Sequence, residues 1–567
     1  MKIHNALLSK GYFPKELPPA FTTVDFGSNV DEIVREWCST GIFKYDTKRL
    51  GKLPGNKKRR GSFTYTLKEI AEAEVISMPK KGYERRNIHI VHPLPQALLS
   101  KEIGANWKSI QKFLSRRTFS EDKIQIGLGF ERSIKEINFL LHATKKRHLE
   151  ATSNWVVTTD INRFYPSIYT HSIAWAAYGK ERVKSRRTYY EGSLADRIDT
   201  LVRSCNRGQT IGIPVGPETS RILAEIISAR IEDNYRNSDA WKLTENIDRL
   251  QDDWTIGVRS LEDAERVLSI INNLYRTYGL DINGSKTSID HIVAERKNAG
   301  ISEIKMFLSH RKGGLSGTRL MEFLDLTLTL QSQNPSDNVV KYTLSVLENK
   351  RIAPKDIPVI ETFLIKSAMV APLSLDRICR IILDLQHKTN ALSGKRIGER
   401  FIQIAEIAIE KLHLFEVIWL LYTLRGLKQH IKSEIVCSES GKTQSAAIAL
   451  ILMDMNSRGL VLKKLPVTEW LSQISRDSIY SDWTWLMAYE GIRHGWLPDN
   501  SNLMKQPLFK PLISRDIVFY DPNRNISTSA NATAKRERVR KRNLSEIKGL
   551  LKDIREVEIA DYDFSTL

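Results

Sequence analysis

Hydropathy periodicity changes once along this chain, and that change constrains the fold more than any other feature. From about residue 75 to 330, short β-type runs (EVISM, IHIV, WVVTTD, WTIGV) alternate with helical patterns such as TSRILAEIISARIED and LEDAERVLSIINNLY. The alternation predicts an α+β domain. After about residue 335 the strand signals fade, and segments of helical period follow one another: PVIETFLIKSAMV, LDRICRIILDLQH, GERFIQIAEIAIEKL, FEVIWLLYTLRGLKQ and QSAAIALILMDM. This half reads as all helical. Helix pairs stacked by short turns would make a helical-repeat solenoid, although the sequence carries no fixed-period repeat. Residues 1–75 are rich in Pro, Gly and basic side chains, with LPPAFTT near the start and Lys57, Lys58, Arg59 and Arg60 before Gly61, and read as an extended arm. Residues 527–567 form a polar tail that contains the basic block KRERVRKR. The expected division is therefore an arm at 1–75, an α+β domain at 76–334, a helical-repeat domain at 335–526 and the tail.

A chain of 567 residues is too long for one hydrophobic core, so two or more are expected. Its formal charge of +20, from 86 Lys and Arg against 66 Asp and Glu, suits a polyanionic partner such as nucleic acid, with a membrane surface as the competing reading. No uninterrupted apolar run reaches the roughly 18 residues of a spanning helix. Stretches such as Phe415 to Leu424 and Ala446 to Met453 have core-helix length, and a soluble chain without a membrane partner is expected. The opening MKIHNALLSKGYFPK has no secretory pattern, which points to the cytosol. Cys38, Cys205, Cys379 and Cys437 lack C-x-x-C spacing, which argues against a zinc site or a disulfide framework.

The chemistry lies in carboxylates. Asp160 closes the apolar β-type run Trp155 to Thr159, a common way to place a ligand at a cleft floor. Further on, Arg249-Leu250-Gln251-Asp252-Asp253-Trp254-Thr255-Ile256 puts two adjacent acids where a tight strand-turn-strand would expose them. Adjacent carboxylates repel unless a cation lies between them, so a paired Asp at a hairpin tip reads as a metal site. With Asp160 alongside, three carboxylates could hold two Mg²⁺ about 3.5–4 Å apart for phosphoryl transfer. Asp-Asp alone is more often a surface turn. Its company decides: Gln209 to Ser220 is a Gly/Pro loop that opens a helix and lets backbone approach a base pair or phosphate. Gly279 to Thr287 then offers Lys286 after a turn.

In that order the sequence resembles the reverse transcriptases: D-I-x-x-F-[FY]-P-S-I at Asp160 to Ile168, G-I-P-x-G-P at Gly212 to Pro217, x-x-D-D at Leu250 to Asp253, and L-x-[IL]-N-x-x-K-T at Leu280 to Thr287. Tyr169 to Ile173 with Trp175, Gly179 and Lys180, together with Met78 to Lys80 and Glu84 to Arg86, is similar to the bacterial abortive-infection reverse transcriptases and their defence-associated, unknown-group relatives. The resemblance implies a reverse-transcriptase palm and fingers followed by an all-α, HEAT-like helical-repeat domain in place of a thumb. It implies an RNA-directed DNA polymerase-like nucleotidyltransferase in anti-phage defence, in the bacterial cytoplasm, that extends DNA without an ordinary template and starts the strand on a tyrosine. The implied cofactor is Mg²⁺, two ions, with Mn²⁺ as a substitute. The implied partners are dNTPs, a DNA product that can stay covalently attached, a noncoding RNA and further copies of the chain.

Residue by residue, the resemblance carries metal binding to Asp160, Asp252, Asp253 and the backbone of Ile161, and proton donation to leaving pyrophosphate to Lys286, which would otherwise be an exposed turn lysine. Arg85 and Arg86 match the position that grips triphosphate, against a bland reading as a solvated basic turn. Tyr165 stacks under the sugar, or is a core aromatic. Gly212, Pro214 and Gly216 shape the floor under the incoming base pair, or simply enter a helix. One departure is plain: Leu250 stands where the family has a Tyr that seats the primer end, with Gln251 between it and the acids. Tyr12 and Tyr45 are therefore the candidate priming residues, with Lys48, Arg49 and the 57–60 cluster to guide a strand away from Tyr45. A templated retroelement enzyme and a non-catalytic nucleic-acid scaffold are the competing functions; the first would lack an evident maturase, zinc finger or endonuclease region.

Overall fold

A computed structural model describes residues 2–47, 62–80, 82–117, 120, 123–292, 299–309, 314–335, 337–348, 350, 352–526, 541, 545 and 546. Lys48, Arg49, the basic cluster at 57–60 and most of the KRERVRKR block lie outside them. The chain divides into two compact units that interleave in sequence: residues 1–105, 186–220 and 296–526 form the first, and 106–185, 221–295 and 527–567 the second.

The first unit begins with two helices, Ile3–Gly11 and Val24–Ser39, packed on each other. This corrects the expectation of an extended arm. Ala6, Leu7 and Leu8 on the first helix and Phe26, Val30, Ile33 and Trp37 on the second are fully buried, and the helices approach so closely that a β-carbon on Gly27 would overlap the Ser9 backbone. LPPAFTT is only the connection between them. The Trp37 indole donates to the Leu508 carbonyl at 3.0 Å and the Trp419 indole to the Glu16 carbonyl at 2.8 Å, so the N-terminal helices share a core with residues from the far end of the chain. Two antiparallel pairs follow: β1 (Phe43–Asp46) with β2 (Thr64–Leu67), and β3 (Glu74–Pro79) with β4 (Arg85–Ile90).

From residue 299 onward the named elements among the described residues are helices alone. Sequence neighbours pack in pairs, as in Ile357–Val370 against Leu375–Thr389 and Gly394–Glu410 against Leu414–Gly426. The periodicity differs by depth: Leu375–Thr389 buries one face, whereas Leu414–Gly426 and Ala446–Ser457 are buried nearly all round and form the centre. Among the described residues no single helix is long and apolar enough to cross a membrane; one bent pair, Pro354–Val370 with Pro372–Thr389, meets the length and composition of a span across a 119° break.

The second unit is built on a four-stranded antiparallel sheet of β5 (Trp155–Thr159), β6 (Asn246–Leu250), β7 (Asp253–Val258) and β8 (Ser288–His291), in the order β6-β7-β5-β8. The helix Leu261–Thr277 packs on β5, β7 and β8, and Phe139–Thr152 on β6 and β7. Val157, Trp254, Ile256 and Val258 fill the core under the helices. The α+β expectation and the helical character of the later half both agree with these elements; stacking of the later helices as HEAT-like repeats stays a proposal.

Candidate active site

Strand register brings the acids together. β5 pairs with β7 so that Thr159 faces Trp254, and one further step places Asp160 opposite Asp253. β6 and β7 are joined by a two-residue turn, since Leu250 faces Asp253; Asp252 is its second residue. On the other side of β5, Thr158 faces Ser288, so continuing that register carries Asp160 toward Lys286. Beyond the strand, an isolated bridge between Ile161 and Ile282 ties down the backbone: the Asn283 amide donates to the Asp160 carbonyl at 2.7 Å and the Asn162 amide to the Asp281 carbonyl at 2.8 Å.

Asp160 is buried, with 3% of its surface exposed, while Asp253 is exposed. The Lys286 ammonium is 2.6 Å from Asp160 Oδ2, and the Asn283 side-chain amide donates to the same oxygen at 3.3 Å. Burial, with the charges of Asp253 and Asp160, pushes the Asp252 carboxyl well above the usual carboxylate range, and burial with the Asp160 charge does the same to Asp253. Burial alone would lower Lys286, but its hydrogen bond and charge contact with Asp160 raise it above an ordinary lysine. One ammonium cannot neutralise three acids, so the cluster is short of positive charge.

Among the described residues no group of three or more His, Cys, Asp and Glu side chains stands in a geometry that could hold a metal ion as it is. The donor chemistry nevertheless fits a hard divalent cation: carboxylates alone, mutually repelling, with no imidazole or thiolate to favour zinc or copper. Asp160, Asp252 and Asp253 are the residues that could hold such ions.

The remaining candidates are placed as follows. Tyr165 is half-buried in the short helix Phe164–Ser167, edge-on to Phe164, just after Arg163 at a left-handed φ of 47°. In the first unit, the glycine loop is pinned to β4: the His89 amide donates to the Val215 carbonyl at 2.8 Å and the Val215 amide to His89 Nδ1 at 3.0 Å. Gly212 and Gly216 have φ of 89° and 132°, Pro214 is buried, and a β-carbon on Gly216 would lie 2.7 Å from Pro14.

Two expectations need correction. Arg85 makes four hydrogen bonds within its own unit, to Ser77 Oγ and carbonyl and bidentately to Glu416 at 2.8 and 2.7 Å, so its fork is committed to the Leu414–Gly426 helix rather than to phosphate. Arg86 is half exposed, 3.5 Å from Glu16. Tyr12 is fully buried and donates to the Val91 carbonyl at 2.5 Å, with burial raising its phenol far above the usual value; a side chain in that state cannot receive a nucleotide. Tyr45 is 49% exposed on β1, among Phe43, Phe63 and Tyr65.

Sequence reasoning passed over Arg249, Glu225, Glu232 and Asn283, all tied to the acids or their turn. Arg249 carried a signal, a charged residue inside a strand pattern three places before Asp252, but its partners lie on a distant helix.

Known proteins bear on the same region. Residues 103–324 match the family model for reverse transcriptase (RNA-dependent DNA polymerase), whereas no curated protein matches the chain. Among solved structures, the apo telomerase of Candida tropicalis truncated from its C-terminal domain is 14% identical, with 40% of this chain and 52% of that one covered and a TM-score of 0.28. Telomerase from Candida tropicalis in complex with the TWJ fragment of telomeric RNA is 14% identical over 68% of this chain and 64% of that one, TM-score 0.28. The corresponding Candida albicans complex is 12% identical over 76% and 66%, TM-score 0.27. The chain thus spans about half the length of the first of these telomerases. The span 103–324 contains β5 to β8, the three acids and Lys286, so these lie in the part of the chain that matches the reverse transcriptase family model.

Proposed function

We propose that the chain is a DNA polymerase of the reverse-transcriptase type that adds dNTPs to a strand end by divalent-cation-assisted phosphoryl transfer. The observation that carries this reading is the convergence of Asp160, Asp252 and Asp253 at one end of the β5–β7 pair, with Lys286 against Asp160. A pair of Mg²⁺ ions, or Mn²⁺ in their place, would supply charge stabilisation for the attacking and leaving oxygens. The chain's own residues do the rest. Asp160, Asp252 and Asp253 would hold the ions, with the Ile161 backbone as a further ligand; Lys286 holds a proton suited to the departing pyrophosphate oxygen; Tyr165 orients the sugar.

The likeness of Tyr169 to Lys180 and of Met78 to Arg86 to the abortive-infection enzymes, with a helical half after the palm, supports a role in anti-phage defence in the bacterial cytoplasm, as an oligomer and with a noncoding RNA among its partners. Priming on protein is retained for Tyr45 alone. A conventional RNA-templated activity is the second reading, favoured by the description of the matching family. Incubation of purified protein with each dNTP and Mg²⁺, with and without template and primer, separates them on a gel. Product that migrates with protein until protease is added supports self-priming, template-dependent free product supports the second reading, and no product under any condition rejects both.

A further inference from the structure

We propose that Arg249 is a positioning residue for the acid cluster: its buried guanidinium holds the Gln251–Asp252 turn in the shape that presents Asp252 and Asp253 to divalent cations. The inference rests on the reading of those acids as cation ligands and adds the device that aims them. Arg249 lies on β6, at the edge of the sheet, opposite Trp254 and three residues before Asp252. Its side chain is fully buried. Nε donates to Glu232; one terminal nitrogen donates to Glu225 Oε1 at 2.5 Å; the other donates to Glu225 Oε2 at 3.2 Å and to the Gln251 carbonyl at 2.6 Å. Glu225 and Glu232 are seven residues apart, two turns along one face of the helix Glu218–Arg236, so both reach the same guanidinium. The Arg249 carbonyl is itself held by the Ser120 hydroxyl at 2.9 Å.

The turn needs such a clamp. Gln251 has φ 59°, a left-handed conformation that residues with a β-carbon adopt infrequently and that persists only where the surroundings over-determine it. The bond from Arg249 to the Gln251 carbonyl is the over-determining contact, and the two glutamates fix the guanidinium that makes it. Two carboxylates against one guanidinium also leave a net negative charge beside the acids, the sign that favours a cation. Lysine preserves the charge of Arg249 but has no planar fork to hold both glutamates and the carbonyl together.

The test is Mn²⁺ binding to the 567-residue chain, followed by electron paramagnetic resonance of the free ion, with thermal melting and dNTP incorporation measured on the same samples. Arg249→Lys should weaken Mn²⁺ binding by about 5- to 20-fold, the size expected when one charge-assisted hydrogen bond to the turn is lost in part. Glu225→Gln, isosteric and on a partly exposed side chain, should weaken it by about 2- to 5-fold and keeps the test decisive if Arg249→Lys fails to fold. Glu74→Ala, a buried change in the other unit, should lower melting without moving Mn²⁺ affinity. Folded Arg249→Lys or Glu225→Gln protein that binds Mn²⁺ as the wild type does would overturn the positioning role, as would a wild type that binds no Mn²⁺. A wild type that binds Mn²⁺ but incorporates no nucleotide would reject the polymerase reading while the comparison of affinities still decides the role of Arg249.

Discussion

Asp252→Asn should produce a chain that is inert as a polymerase and yet harder to melt in the absence of divalent cations. In the wild type, burial and the charges of Asp253 and Asp160 hold the Asp252 carboxyl above its usual range, so the ionised cluster opposes folding. Each pH unit of such displacement corresponds to about 1.4 kcal/mol. Solvent screens the exposed Asp253 and reduces the total, which leaves a gain of about 1–3 kcal/mol when Asn removes one charge at nearly constant volume. At about 2–4 °C per kcal/mol for a unit of 150–250 residues, melting should rise by roughly 2–12 °C in EDTA. Saturating Mg²⁺ should narrow the difference or reverse it, because a ligand at about 100 times its Kd adds about 2.7 kcal/mol to a protein that binds it, and the variant has lost a ligand. Differential scanning fluorimetry in EDTA and in Mg²⁺, beside an incorporation assay, reads all three effects. A variant that melts at or below the wild type in EDTA, or that gains as much from Mg²⁺, would refute the reasoning.

Further outcomes follow from particular residues. Glu416→Ala strands the bidentate Arg85 guanidinium and should cost about 3–5 kcal/mol, read as a lower denaturant midpoint; Arg85→Met should lower stability but leave KM for dNTP unchanged, and a KM raised tenfold would restore Arg85 to the triphosphate. Gly216→Ala, at φ 132° and with Pro14 2.7 Å from the new carbon, should cost about 2–3 kcal/mol; unaltered melting would show that the loop yields. Burial raises Glu74 to about 7, so the folded state holds the extra proton: stability should be greatest below the unfolded value near 4.3 and fall as pH rises through about 7, and Glu74→Gln should flatten that fall in melts recorded from pH 4 to 8. Tyr165→Ala should admit ribonucleotides, measured as the ratio of kcat/KM for dNTP and rNTP; an unchanged ratio would assign Tyr165 to packing.

How much of this was legible in sequence depended on how far each residue's partner lies along the chain. β5 and the Asp-Asp hairpin declared themselves because a strand that ends on an acid and a two-residue turn are local patterns. The later helices did so because a 3.6-residue period needs no partner to be recognised. The N-terminal helices were missed because Pro and Gly in the LPPAFTT connection and in residues 51–61 dominated the composition of the whole stretch, although Phe26, Val30, Ile33 and Trp37 repeat at helical spacing. Arg85 was misjudged because its partner, Glu416, is 331 residues away, and Tyr12 because the carbonyl it bonds is 79 residues away. Arg249 shows the same limit at shorter range: a strand arginine is visible, but that Glu225 and Glu232 converge on it depends on the path of the helix over the sheet.

The most direct measurement is incorporation of labelled dNTP into polymer by the wild-type chain and by Asp160→Asn, with Mg²⁺, across template, primer and no-template conditions, after melting curves have shown both proteins folded. The account predicts polymer from the wild type and less than a few per cent of it from the variant, because Asp160 is the acid on which Lys286 and the paired Asp252 and Asp253 converge. Equal incorporation by folded Asp160→Asn protein, or none by the wild type under any of the conditions, would contradict it.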